Sequence, residues 1–251
     1  MIKTEISIII PCYNEERNIR LGALEKVAHF LEKRKINYEV IIVDDGSTDD
    51  TRNLIKKIIV DHPKFHLLIK HHQGKAAAVI AGLLAAKKEY VLFTDMDQAT
   101  PIDQLDLLLP WFTKGYDVVI GSRNRNRKGA PFFRLAMARG FMVLRNLILN
   151  LGIKDTQCGF KSFKKKVAID VIPRLLVYNP KRSIQGSTVT AGFDVEFLYI
   201  AKLLGYKIAE VPVEWHYQET RHINPFKDSL EGLIGLLKIR LNSIKGLYKN
   251  R

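Results

Sequence analysis

The sequence predicts an α/β fold: a mostly parallel sheet flanked by helices, with an amphipathic helix at the C-terminal end. Three observations carry that expectation. Apolar β-branched runs alternate with helix-period segments up to residue 120, the runs are almost continuously apolar as in strands covered on both faces, and turn-forming and acidic residues gather where the runs stop.

The first strand reads as Glu5–Ile10 on its apolar core Ile6–Ile10. Glu15–Lys35 has helical spacing through Ile19, Leu24, Val27, Ala28 and Leu31, and Tyr38–Val43 is strand again, which makes a βαβ unit. Asp49 or Thr48 can cap a helix over Thr51–Asp61. Phe65–Lys70 then reads as a strand, Lys75–Lys88 as an alanine-rich helix and Tyr90–Thr94 as a strand. Proline in the first turn marks a helix from Pro101 to Lys114, and Asp117–Ile120 ends the alternation.

Beyond Gly121 a basic loop, Arg123–Pro131, leads into a helix over Phe132–Leu151, where Phe133, Met137, Phe141, Leu144, Ile148 and Leu151 share the surface with Arg134, Arg139 and Arg145. Two readings of it stay open: a solvated basic face, or a lipid-facing one. A helix at Asp194–Leu204 and a strand at Tyr206–Val213 precede a closing helix, Pro225–Tyr248. Leu230, Leu233, Leu237, Leu241, Ile244 and Tyr248 form its apolar pattern, with Lys238, Arg240, Lys245 and Lys249 interleaved. That make-up fits an interfacial helix, and equally one packed on the core or on a second subunit.

The 251 residues, 47% of them apolar, suit one well-filled domain with an appendage. Two cysteines, Cys12 and Cys158, fit a reducing compartment. The early first strand leaves no room for a signal peptide, and no apolar stretch approaches the roughly 18 to 20 residues that span a bilayer. The net charge is +14, and Gly121–Arg182 holds 15 lysines and arginines against two acids. Such asymmetry indicates an anionic partner: a phosphate-bearing acceptor, anionic lipid head groups or nucleic acid.

Asp44-Asp45 and Asp95-Met96-Asp97 stand where two strands run out. In an open α/β sheet ligands bind beyond the carboxyl ends of the strands, so both acidic clusters face one crevice. An Asp-x-Asp pair can hold a hard divalent cation that neutralises a diphosphate. The chain therefore reads first as an enzyme handling a nucleotide diphosphate. Neither G-x-G-x-x-G nor G-x-x-x-x-G-K-[ST] occurs, and the histidines show no zinc-binding helical pair.

Pro11-Cys12-Tyr13-Asn14-Glu15, Val43-Asp44-Asp45-Gly46-Ser47-Thr48-Asp49, Gly74-Lys75, Asp95-Met96-Asp97 and Gly121-Ser122-Arg123 follow one another in the order and contexts of family-2 glycosyltransferases of the Rossmann-like GT-A fold, which the first 200 or so residues resemble. Asp155-Thr156-Gln157-Cys158-Gly159-Phe160-Lys161 and Gly192-Phe193-Asp194-Val195-Glu196 are similar to the branch that makes polyprenyl-phosphate sugars, above all the dolichyl-phosphate β-glucosyltransferases.

The resemblance implies a glycosyltransferase domain over 1–220, with a nucleotide-sugar half at 1–120 and an acceptor half at 121–220, and a membrane-associated helix at 221–251. It implies inverting transfer of a sugar, glucose from UDP-glucose, to a polyprenyl or dolichyl phosphate at the cytoplasmic face of a membrane. Donor contacts fall on Pro11, Tyr13, Glu15, Val43, Asp44, Asp45, Lys75, Asp95 and Met96, and Mg²⁺ or Mn²⁺ on Asp97 first and Asp95 second. Some relatives place an amide ligand two residues after the second aspartate; that position is Ala99 here, and the amide is Gln98. Catalytic roles fall on Asp97, Asp155, Arg123 and Arg134, and the acceptor phosphate on Arg123, Arg134, Arg139 and Arg221. A serine usual four residues after Arg134 is Ala138, and a usual G-x-S-K is replaced by Glu219-Thr220-Arg221-His222.

Plainer roles stay open beside these. Asp44 and Asp45 are good turn and capping residues, Lys75 suits an exposed first turn, and Asp155 can cap a turn. Asp194 and Glu196 complement a helix dipole, and Arg125, Arg127 and Lys128 suit a solvated surface. GDP-mannose is the alternative donor. A non-enzymatic anion-binding or nucleic-acid-binding module is the alternative class; it leaves the acidic strand tips without a role, and the basic residues lack regular aromatic interleaving, so nucleic acid is not an expected partner.

Overall fold

Seven strands make one sheet, β1 (Glu5–Cys12), β2 (Asn37–Asp44), β3 (Phe65–Ile69), β4 (Tyr90–Thr94), β5 (Val118–Arg123), β6 (Phe160–Lys164) and β7 (Ile208–Val213), of which β1, β2 and β4 are largely apolar and buried on both faces. The computed structural model describes residues 5–34, 36–123, 132–178, 192–216 and 225–249, without the side chains of 132–139 and 225–229. The helices are α1 (Glu16–Arg20), α2 (Ala23–Lys33), α3 (Thr51–Asp61), α4 (Lys75–Ala85), α5 (Leu105–Thr113), α6 (Phe132–Leu149), α7 (Lys165–Val171), α8 (Phe193–Leu203) and α9 (Pro225–Ile244).

The strand order is β3-β2-β1-β4-β6-β5-β7. All pairings are parallel except those of β6, which runs antiparallel to both β4 and β5. The chain winds outward from β1 through β2 to β3 and then returns to β4 on the other side of β1. This reversal opens a crevice at the carboxyl ends of β1 and β4. Period-two alternation divides the core: Ile8 and Ile10 pack with α2, α3 and α5, whereas Ile9 packs with α4, α7 and α8 on the opposite face.

Several expected elements differ. The single helix over Glu15–Lys35 is two, broken where Gly22 adopts φ +78°. A 3₁₀ turn at Ile102–Gln104 precedes α5, so that helix begins at Leu105 rather than Pro101. Neither β6 nor α7 is among the expected elements; for β6 the reason is that Phe160–Lys164 interleaves Lys161, Ser162 and Lys164 with its aromatics. Lys161 and Ser162 are nevertheless buried in the sheet. Sheet pairing, not apolarity, makes that strand.

Of the apolar pattern read for the closing helix Tyr248 is buried, while Leu236 and Ile239, outside that pattern, are buried with it. Leu236, Ile239 and Tyr248 enter the core, Tyr248 Oη donates to Glu196 Oε1 (2.8 Å), and Tyr199 Oη donates to Ser243 Oγ (2.7 Å). Gly232 lies against the Phe141 ring, where a Cβ would approach to 3.0 Å, so α9 packs on α6. Leu230, Ile234, Leu237, Leu241 and Ile244 remain exposed.

Candidate active site

Cys12 of β1, Asp44 of β2, Thr94 of β4 and Arg123 of β5 end on one rim of the sheet. Because β6 is antiparallel, its first residue, Phe160, pairs with Thr94, the last of β4. The loop 155–159 is therefore delivered to the rim where the parallel strands finish. Topology brings together motifs that lie 60 residues apart.

At the β2 tip the carboxylates are turned inward. Asp44, fully buried, accepts from Arg52 Nε (2.8 Å) and from the Ser47 amide (2.9 Å). Asp45, also buried, accepts from the amides of Gln73 (2.9 Å) and Gly74 (2.8 Å) and faces His72 Nδ1 at 2.8 Å. Tyr13 stacks on His72 with ring centroids 4.1 Å apart. The turn reading of Asp44 and Asp45 thus describes their visible contacts, and in this structure neither offers an open carboxylate to a ligand. Val43 and Pro11 are buried strand residues in register with one another.

Asp45 fixes the start of α4. Gly74 takes φ 89°, ψ 165°, a conformation costly for any side chain, and its amide meets Asp45 as Lys75 begins the helix. Lys75 Nζ then pairs with Asp95 Oδ1 just beyond β4. Burial opposes the ammonium charge, but Asp95, followed by Asp194 and Asp97, outweighs it and lifts the Lys75 pKa above its usual value. A lysine at a helix N-terminus beside the rim suits a phosphate.

Asp97 accepts from the Ala99 amide (2.9 Å); burial first, then the Asp95 charge, push its carboxyl above the ordinary range. Met96 between them is buried. Gly159 lies directly against Asp95: a Cβ there would come within 2.0 Å of Oδ2. Among the described residues no three His, Cys, Asp or Glu side chains form a complete metal cage. Mg²⁺ and Mn²⁺ do not require one, since two carboxylates plus substrate phosphates and water suffice. Asp97 and Asp95 fit that need, and the buried, unpartnered Oε1 of Gln98 is a further oxygen of suitable chemistry next to them.

At the β5 end Arg123 and Asp155 form a buried bidentate pair, Nε to Oδ2 2.7 Å and Nη2 to Oδ1 2.8 Å, with the Arg123 amide also on Oδ2 at 3.0 Å. The Arg123 guanidinium lies 5.8 Å from the Trp215 ring centroid. Burial works against its charge, while Asp155 and, further off, Asp95 hold its pKa above the usual value. The two residues, named separately by the resemblance as catalytic and, for Arg123, as an acceptor contact, are one unit. Arg125, Arg127, Lys128 and Arg221 lie outside the described residues, as do the side chains of Arg134 and Arg139.

Sequence reasoning missed three groups here. Lys161, buried in β6, donates to the Cys158 carbonyl, sits 3.1 Å from Asp194 Oδ1 and lies over the Phe93 ring. Asp194 is thereby part of a chain of charges running to Lys75, beyond any dipole role. Glu196 is fully buried and accepts from the amides of Leu176 (2.9 Å), Val177 (3.0 Å) and Tyr178 (3.0 Å). The two motifs containing these residues were visible in sequence, but not their burial or their partners, which come from distant segments.

A family model described as glycosyl transferase family 2 matches residues 7–172, two thirds of the chain and all of the rim up to α7. The chain belongs to that family. Curated relatives of this family-2 glycosyltransferase include the dolichyl-phosphate beta-glucosyltransferases of Dictyostelium discoideum, 32% identical over 97% of this chain and 76% of that protein, and of Homo sapiens, 31% identical over 98% and 78%. Among solved structures, mannosyl-3-phosphoglycerate synthase from Rubrobacter xylanophilus superposes with a TM-score of 0.67 at 15% identity, covering 99% of this chain and 77% of its own. A mannosyltransferase from Pyrobaculum calidifontis, in complex with GDP-Man and Mn²⁺, gives 0.54 at 18% identity, covering 98% and 75%. These two likenesses establish the GT-A architecture of the sheet and its helices.

Proposed function

We propose that this glycosyltransferase moves glucose from UDP-glucose to a polyprenyl or dolichyl phosphate at the cytoplasmic face of a membrane, with inversion at the anomeric carbon. The observation that carries the reading is the loop 155–159, which touches the donor end through Gly159 on Asp95 and the basic end through Asp155 on Arg123. One short segment thus joins an acidic, cation-suited site to an arginine suited to phosphate. The relatives' names supply the acceptor.

In this reading the acceptor phosphate oxygen, already anionic at neutral pH, attacks the anomeric carbon as the bond to the diphosphate breaks and UDP departs. A single displacement inverts the centre, and the protein needs no strong base. Lys75 at the start of α4 stabilises the leaving phosphates, and Arg123 orients the attacking phosphate through paired donors. Asp97 and Asp95 would hold a divalent cation, which when bound would supply Lewis-acid stabilisation of the departing diphosphate. Asp155 keeps Arg123 aimed, while Asp44 and Asp45 build the two turns that frame the nucleoside end.

Seating on the membrane is supported by one surface. Val143, Leu144 and Leu147 of α6 and Leu230, Leu237, Leu241 and Ile244 of α9 are exposed on two helices that pack together, with Lys238 and Arg240 exposed on α9 and Lys245 and Lys249 just after it. No helix among the described residues is long and apolar enough to cross a bilayer. The test is incubation of the purified protein with Mg²⁺ or Mn²⁺, a short polyprenyl phosphate and a panel of labelled nucleotide sugars. UDP-glucose is expected to yield an organic-extractable glucolipid. Product from GDP-mannose alone would replace the donor, and none from any donor would overturn the reaction.

A further inference from the structure

Arg145 is one of the arginines that the sequence pattern puts on the basic surface of α6, yet it is 2% exposed while its neighbours Val143, Leu144 and Leu147 face outward. Its guanidinium turns into the protein beneath the loop that precedes β6. There Nη1 donates to Thr156 Oγ1 (2.6 Å), and Nη2 donates to the carbonyls of Ile153 and Lys154, the latter at 3.2 Å. Among the described residues no carboxylate forms an ion pair with it, and its Nε has no hydrogen-bond partner. Burial accordingly depresses its pKa despite the charges of Asp155 and Glu210 nearby. A buried cation satisfied by carbonyls and a hydroxyl is an expensive way to fill space, since apolar side chains of similar volume are often as stable or more so.

The same loop is gripped from its other side. Glu210 of β7 accepts from the amides of Lys154 (3.0 Å) and Asp155 (2.7 Å). Arg145 therefore holds the carbonyls of residues 153 and 154 and the side chain of 156, and Glu210 holds the amides of 154 and 155. Between these two grips the Asp155 side chain meets Arg123 with both oxygens. The fork of a guanidinium can bind three acceptors at fixed angles, which a lysine ammonium on a flexible stem does not do.

We propose that Arg145 is a positioning residue for sugar transfer: it fixes the loop 153–156 from α6 so that Asp155 holds Arg123 toward the crevice. This rests on the reaction proposed above, in which Arg123 orients the acceptor phosphate. Arg145 touches no substrate. Its effect runs through Asp155 and Arg123, so it belongs to the acceptor end; the donor end meets the loop at Gly159 on Asp95, beyond the residues 153, 154 and 156 that Arg145 holds. The signature is a split between the two substrates.

The experiment uses the full chain with Arg145→Met and Arg145→Lys in a Trp111→Phe background, where Trp215, beside Arg123, becomes the sole tryptophan. The expected result for Arg145→Met is a drop in kcat of at least about tenfold and a raised KM for polyprenyl phosphate, with the KM for UDP-glucose within about twofold. Arg145→Lys, which keeps the charge and loses the fork, is expected to lie between, and Trp215 emission shifts in both. If Arg145→Met does not fold, Arg145→Lys carries the same comparison. Equal loss toward both substrates means a general structural role and overturns the proposal, as does unchanged turnover with unchanged Trp215 emission. Should the parent protein transfer no sugar, the reaction fails on its own account. The emission of Trp215 then still decides whether Arg145 sets the Arg123 site.

Discussion

Removing the Asp155 carboxylate leaves the Arg123 guanidinium buried without its counter-ion. In the native fold Asp155 accepts from Arg123 Nε, Nη2 and the Arg123 amide, and from the Gln157 amide at 3.2 Å, with side-chain exposures of only 15% for Arg123 and 8% for Asp155. Breaking a buried ion pair by deleting one partner costs about 3–5 kcal/mol, against a global stability of about 5–15 kcal/mol. Asp155→Leu and Arg123→Met are therefore each expected to lower stability by that amount. With a urea slope of about 3 kcal/mol per molar, the midpoint falls by about 1–1.7 M in each. The double variant removes both charges, and an apolar replacement of a buried pair is often neutral, so it is expected to be no less stable than either single variant. The coupling in the double-mutant cycle is then about 3 kcal/mol or more. Urea unfolding followed by far-ultraviolet circular dichroism measures all four proteins. A coupling below about 0.5 kcal/mol would refute the claim that the two residues act as one unit.

Three further outcomes are expected. Asp97→Asn abolishes Mn²⁺ binding in calorimetry and raises the metal-free melting temperature at neutral pH: the folded state raises the Asp97 pKa, its stabilising contribution is therefore lost as pH rises through that value, and asparagine keeps the neutral form throughout. Gly159→Ala, whose Cβ meets Asp95 Oδ2, displaces that carboxylate and weakens Mn²⁺ and nucleotide-sugar binding by at least about tenfold while the circular dichroism spectrum is retained; unchanged binding would contradict the packing of the loop on Asp95. Tyr248→Phe deletes one hydrogen bond to the buried Glu196 and costs about 2 kcal/mol, a drop of roughly 4–8 °C in melting temperature, whereas no change would mean that the segment after α9 is not docked on the core.

The sequence by itself determined the βα alternation, the acidic strand tips and the motif order. Each rests on local physics: period-two or 3.6 patterning for the elements, and turn chemistry for the tips. Only the tertiary structure decided which charges meet. Lys161 and Ser162 look polar in sequence, yet β6 is drawn between β4 and β5 because its backbone completes both ladders, and this brings Gly159 onto Asp95. Arg145 looks like surface charge because helical spacing tells which residues share a face and not which face is covered. The residues of α9 show the same limit, with Leu236 and Ile239 buried and Leu237 and Leu241 left outside. Hydrogen-bond partners such as Asp155 with Arg123, Asp45 with Gly74 and Glu196 with Tyr248 are 29 to 52 residues apart, a separation at which sequence spacing carries no geometry until the sheet order fixes it.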